Sequence, residues 1–281
     1  MFFVIPAEAG IWYTTPMKQA PLITTLVALL LLGAACNKPA QQTNQPATNS
    51  STSSTNTTTN TVVTTDPNKP DLLIKHLGLN LAPYDPATGM AGDIKFIKSK
   101  LGGTDRPLSE FGYVIPGANT STRQDKPNPQ PTFSAPLGTK VRAIVDGEVV
   151  RIETLYSNDV SIMVASSKES NWIYELEHVI NPTVQVGDRV KAGDIVAEVS
   201  PHDSQHYPGI GLVEIGILHG SDDGGPPEHV CPFQYLDPTV KDDLHQRIRD
   251  LQTAWETYRG DQTIHGDDPI AGCKSLEPIE G

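Results

Sequence analysis

Hydrophobic and polar positions divide this chain into stretches of different character. From Met17-Lys18 an uncharged run continues through Ala35, dense in leucine at Leu22, Leu26 and Leu29 to Leu32. Its apolar part, about fourteen residues from Leu22, falls short of the roughly 20 that a spanning helix needs. No charged flank follows to stop transfer, so the pattern predicts a cleaved export signal. Gln41 to Thr65 has neither period nor charge, and 21 of its 25 positions are Thr, Ser, Asn or Gln. Such a tract cannot bury a core and reads as a disordered tether. From Asp66 onward short alternating runs are broken by turn residues. Leu72–Leu81 reads as a strand, Tyr84–Gly89 as a turn and Asp93–Lys98 as the partner strand of a hairpin. Phe111–Pro116 gives another strand, and Gly117–Pro131 is polar, Pro-rich and loop-like.

The β signal then becomes regular. Thr139–Val145, Gly147–Glu153, Val160–Ala165, Trp172–His178, Val184–Val190, Asp194–Val199 and Gly211–Leu218 are β-type runs separated by Gly, Asp, Asn or Pro, which argues for a sandwich or barrel. Period changes at Asp237. Val240, Leu244, Ile248, Leu251, Trp255 and Tyr258 recur at spacings of three and four, predicting a helix N-capped by Asp237, with Pro238 in its first turn and Gly260 at its end. Its apolar face is expected to pack on the β-domain rather than to receive a partner.

Composition adds exclusions. The 281 residues carry 21 Lys and Arg against 33 Asp and Glu, a net charge of −12 that repels phosphate backbones, so no nucleic-acid partner is expected. Hydrophobic residues make up 37%, enough for a core, and 23 Gly with 24 Pro favour turns and short strands over an all-α fold. There are three cysteines. The phrase Leu32-Gly33-Ala34-Ala35-Cys36 resembles the bacterial lipobox, with Gly33 where Leu is usual, which implies that Cys36 is lipidated and becomes the new N-terminus. A plain signal peptide is the alternative. Met17 is then the expected start, and Asn37 after the cysteine implies the outer membrane if the host is Gram-negative. In an exported chain the remaining Cys231 and Cys273 suit a disulfide; a metal role for Cys231 beside His229 is the other reading.

Two phrases are more specific. Pro136–Val150 and Val184–Val199 resemble the strand-turn-strand phrases of the duplicated hybrid β-fold in lysostaphin-like M23 metallopeptidases. Gly138, Gly147, Gly187 and Gly193 would mark their sharp turns, where positive φ is cheap only without a Cβ. Related phrases occur in biotinyl and lipoyl carriers and in a sugar-phosphotransferase domain. The first are disfavoured by the lack of a Met-Lys turn, the last by export. The resemblance spans roughly 128–218.

That family binds zinc through a His, an Asp four residues on and the second His of a His-x-His phrase. The matching positions here are Asn128, Thr132 and, in one of two registers a residue apart, Glu214, with Leu212 at the first His; the other register offers no ligand. Neither Asn nor Thr is a normal zinc ligand. Leu176-Glu177-His178-Val179 resembles the family's Tyr-x-His-Leu, whose His assists catalysis. The resemblance therefore implies a degenerate member lacking the standard zinc site. Glu175, Glu177, His178, His202, Asp203, His206 and Glu214 form a dense donor set, and within it His178, His206 and Glu214 are the candidates for a relocated metal. His178 and Glu214 are the candidates for any catalysis, and Asn128, Thr132, Glu177, His178 and Glu214 are expected to line a binding groove.

The expected organisation is thus an untranslated 1–16, a signal peptide 17–35, a lipidated tether 36–65, a β extension 66–124, an M23-like β-domain 125–236 and a helix with tail 237–281. The fold expected is mainly β, an M23-like duplicated hybrid β-sandwich with an N-terminal β-hairpin extension and a C-terminal helix. The function expected is non-catalytic, binding peptidoglycan or regulating a cell-wall hydrolase, with no cofactor. An atypical zinc metallopeptidase and a structural or adaptor protein are the alternatives.

Overall fold

The computed structural model describes residues 69–98, 105–116, 124–202, 208–221 and 225–280. The signal segment, the tether, Cys36, Asp203 and His206 lie outside them. An antiparallel ladder dominates, running in the order Arg189–Val190, Gly147–Thr154, Val160–Ala165, Trp172–Ile180, Ile210–His219, Glu228–Val230 and Ile279–Glu280. Trp172–Ile180 and Ile210–His219 are its two central members, paired from Trp172↔His219 to Glu177↔Glu214. The outer edge of Ile210–His219 is shared. Thr132–Pro136 pairs with its first half, ending at Thr132↔Glu214, and Glu228–Val230 with its last residues. Ile195–Val199 pairs with the end of Trp172–Ile180 and carries Lys140–Arg142 on its far side.

Period-two alternation decides which side chains are buried. Phe133 and Ala135, Ile162 and Val164, Tyr174 and Leu176, and Val213, Ile215 and Ile217 all point into one apolar core. The opposite face therefore carries Thr132, Ser134, Ser161, Glu175, Glu177, Leu212, Glu214 and Gly216 from the same strands. The mainly β fold with one C-terminal helix is as expected.

Several elements differ from the sequence reading. Leu72–Leu81 forms no ladder strand. It is an extended strap whose Ile74, Leu77, Leu79 and Leu81 are buried, bonded to the backbone of Tyr235, Ile144 and Arg142. Gly78, at φ +78°, passes so close to the core that an added Cβ would lie 3.2 Å from Ile215; the leucines alternate because they cover the sheet, not because they pair. The hairpin is smaller and displaced, with Met90–Ala91 against Ile94–Lys95. Of Phe111–Pro116 only Val114–Ile115 is a strand, paired with Lys126–Pro127. Val184–Val190 shrinks to Arg189–Val190, and Thr139–Val145 to Lys140–Arg142. Gly138, Gly187 and Gly193 do have positive φ, but Gly147 does not. Its requirement is space, since a Cβ there would lie 2.7 Å from Val164.

The helix spans Lys241–Arg259 and ends at Gly260 in the left-handed conformation. Asp237 does not cap it. The Asp237 carboxylate accepts from the Thr239 amide instead, forming a turn that precedes the first helical residue. The apolar face packs inward as expected, with Leu244, Ile248, Leu251 and Trp255 buried and Trp255 meeting Phe96 edge-on. Cys231 and Cys273 form a disulfide across 42 residues, which on the chain-entropy account stabilises by about 4 kcal/mol. With its sulfur in that bond, Cys231 is no metal ligand.

Candidate functional site

Strand register brings three of the expected groove residues into one row. Thr132, Glu214 and Glu177 are successive cross-strand neighbours on the polar face, and Asn128 reaches them from the preceding segment. Asn128 Nδ2 donates to Thr132 Oγ1 at 3.4 Å, and Thr132 Oγ1 lies 3.2 Å from Glu214 Oε1. Beside Leu212 on the same strand, Gly211 packs so closely that an added Cβ would meet the Ser200 carbonyl oxygen at 1.9 Å.

This row does not fit zinc. The ion takes thiolate, imidazole or carboxylate donors, and of Asn128, Thr132 and Glu214, the positions the resemblance assigns to the ligands, only Glu214 offers one. Asn128 is buried with its amide nitrogen also directed at the carbonyls of Ser109 and Glu110, while the Thr132 hydroxyl is within reach of the Gln130 carbonyl. Hydrogen bonds fill the positions where ligand lone pairs would converge.

What replaces the metal charge is a file of carboxylates. Burial, and next to it the charge of Glu177, pushes the Glu214 carboxyl up to about 7, a hydrogen bond from Thr132 only partly offsetting it. Burial and the neighbouring Glu175 charge push Glu177 up to about 7 as well. Lying side by side, the two raised carboxyls titrate as a pair near neutral pH. Glu175 is held differently, accepting from Gln130 Nε2 at 3.1 Å and lying 3.2 Å from His229 Nε2. Gly216 keeps the floor open here, because a Cβ would lie 2.8 Å from Gln130 Nε2.

His178 stands apart from this row. Between Leu176 and Val179 the register with Val160–Ala165 shifts, so that Glu177 and His178 together face one residue. At this bulge His178 adopts φ 54°, uncommon without glycine, and its ring is re-aimed. Its carboxylate partner is Asp159, with Nδ1 at 3.0 Å from Oδ2. Ser200 Oγ donates to the same oxygen at 2.5 Å and Ser157 Oγ to the other. Burial alone would raise Asp159, yet these bonds outweigh it and hold the carboxyl below its usual range. Burial, then the His202 charge, pushes His178 below the ordinary imidazole value, against the pull of Asp159. His202 stacks on His178 with centroids 3.9 Å apart, and the exposed Tyr156 presents itself edge-on to both rings. Asp159, Ser157, Ser200 and Tyr156 were not singled out from sequence. They lie outside the β-type runs read from the sequence, and the bulge at His178 brings its ring to them.

Residues 131–212 match the model of peptidase family M23, so this part of the chain is an M23-like domain. The match begins three residues after Asn128 and ends two before Glu214. Solved structures with a likeness include the antimicrobial peptidase lysostaphin from Staphylococcus simulans, at 21% identity over 46% of this chain and 48% of that one, with a TM-score of 0.35. LytU matches at 22% over 46% and 82% with a TM-score of 0.34, and Csd3 of Helicobacter pylori at 11% over 76% and 48% with a TM-score of 0.32. The chain spans about half the length of lysostaphin and of Csd3. No curated protein matches it.

Proposed function

We propose that this is a cell-envelope lipoprotein whose M23-like groove acts without the family's zinc, binding peptidoglycan or, through that groove, regulating a cell-wall hydrolase. The observation that supports the reading is the Asn128–Thr132–Glu214 row, which on the resemblance would stand at the family's ligand positions and whose groups hydrogen-bond one another. Water activation of the usual kind needs a metal-bound hydroxide, and no donor set at this position supplies one. The groove that remains is lined by Thr132, Glu177 and Glu214, polar groups suited to hydrogen-bonding an extended glycan or peptide strand. The rival reading, an atypical metallopeptidase using His178 and Glu214, draws less support because the two side chains engage different partners, Asp159 and Thr132.

Lipidation at Cys36 would hold the domain at the membrane through the tether, outside the described residues. Replacing Cys36→Ser should then move the protein from the membrane to the soluble fraction, as seen by fractionation. For the groove, purified full chain incubated with intact cell-wall sacculi and zinc should cosediment with them and release no soluble fragments, and Glu177→Arg should weaken cosedimentation. Fragment release that a chelator stops would sink the non-catalytic reading; failure to cosediment would leave the regulatory arm, tested by whether the chain changes the rate of an added hydrolase.

A further inference from the structure

We propose that Asp159, His178 and His202 form a binding site for a divalent metal ion, zinc being the ion their donors suit, separate from the family's zinc position. One ligand atom from each residue lies within 4.8 Å of the others. Two imidazoles and one carboxylate are an ordinary zinc donor set, leaving a fourth position for water. The 3.0 Å between His178 Nδ1 and Asp159 Oδ2 is near the roughly 3.3 Å between two ligands of a tetrahedral ion with bonds of about 2.0 Å. The ion would replace the proton those atoms share.

Two further features favour a cation there. Asp159 is 3% exposed, and among the described residues its ion-pair partner is His178, with no lysine or arginine paired to it. A buried carboxylate without a permanently charged partner is a favourable place for a dication. Ser157 and Ser200 grip the carboxylate in the manner of the outer-shell groups that orient coordinating side chains. The second feature is strain. His178 keeps a left-handed backbone, costing of order 1–3 kcal/mol for a residue with a Cβ, and what this achieves is to aim its ring at Asp159 and His202.

In the structure the two rings lie face to face, at 7°, so His202 must turn about its side-chain bonds to point a nitrogen at the ion. It is partly exposed and can do so. The metal would then join three segments: the turn before Val160–Ala165, the bulge of a central strand and the segment after Ile195–Val199. Ser200 pairs with Leu212, two residues from Glu214, so this clasp would brace one end of the groove.

The test uses the untagged full chain, stripped with chelator and titrated with zinc chloride alone by calorimetry, with bound zinc counted by mass spectrometry. We expect one zinc per chain and a higher melting temperature with zinc than without. His202→Ala and Asp159→Asn should each weaken binding at least tenfold, and Glu214→Gln should leave it unchanged. Should Asp159→Asn fail to fold, His202→Ala, on the partly exposed ring, decides alone. No binding at micromolar zinc, equal binding by wild type and His202→Ala, or loss of binding in Glu214→Gln would each overturn the site. Zinc-dependent release of cell-wall fragments lost in His202→Ala would sustain this site while overturning the non-catalytic reading; absence of both zinc and hydrolysis would do the reverse.

Discussion

Two polar clusters share one β-sheet, and they hold their charge in opposite ways. In the row of Thr132, Glu214 and Glu177, regular pairing stacks Glu177 beside Glu214, so burial and then repulsion raise both carboxyls. At the corner, a bulge breaks the pairing and gathers Ser157, Ser200 and His178 around Asp159, whose carboxyl falls. A sheet ladder can place like charges opposite one another and leave them uncompensated. An irregularity in the ladder brings donors from three segments onto one carboxylate.

The comparison breaks most sharply if the row is given the corner's kind of chemistry. Combining Asn128→His, Thr132→Asp and Glu214→His should raise the zinc count by one per chain over wild type, with micromolar affinity, worth about 8 kcal/mol. Mass spectrometry of the dialysed protein would show it. A count equal to wild type would mean that the three positions do not converge.

Gly211→Ala attacks the seam between the clusters. Its Cβ would press on the Ser200 carbonyl oxygen, and backbone must move, so a loss of about 2–3 kcal/mol is expected in denaturant unfolding. A change below about 0.5 kcal/mol would show that Ser200 is not held against Leu212.

Proton linkage separates the clusters by sign. Glu177 and Glu214, raised to about 7 when folded, bind more protons in the folded than in the unfolded chain. Their contribution to stability is therefore complete below the unfolded carboxyl range near pH 4.5 and is lost as pH rises through 7. Discounted for partial exposure, the loss is about 1–2 kcal/mol, and Glu214→Gln should flatten it in a series of melts. Asp159 works the other way, adding stability above the unfolded value that is lost as pH falls through its lower folded one. A stability curve that rises from pH 5 to 7 and is insensitive to Glu214→Gln would contradict the row's assignment. The smallest effect should come from Ser200→Ala, about 1 kcal/mol for one hydrogen bond to a charged group, read by unfolding at pH 7.

Much of this was legible along the chain. Alternation at Val160–Ala165 and Trp172–His178 marked real strands, and Gly260 marked the real helix end, because these signals are local. The leucines of the 72–81 strap alternate just as well and form no ladder, since alternation reports burial of one face and says nothing about what covers the other. The candidate site divides in the same way. That Asn128 and Thr132 are poor zinc donors follows from residue type alone, whereas the meeting of Glu214 with Thr132 needed a register that a one-residue slip would have reversed.

By itself, then, the sequence determined the β character of the domain, the helix with its inward face, the excess of acid and the poor zinc-donor chemistry of Asn128 and Thr132, all properties of residue type and short-range period. Tertiary structure alone decided that Glu177 and Glu214 lie side by side and that His178 turns to Asp159. Each of these depends on contacts between segments far apart in the chain, and the last depends on a single bulge whose φ of 54° no side chain announces: Glu177-His178 would read as plain strand until the ladder on either side fixes that two residues must face one.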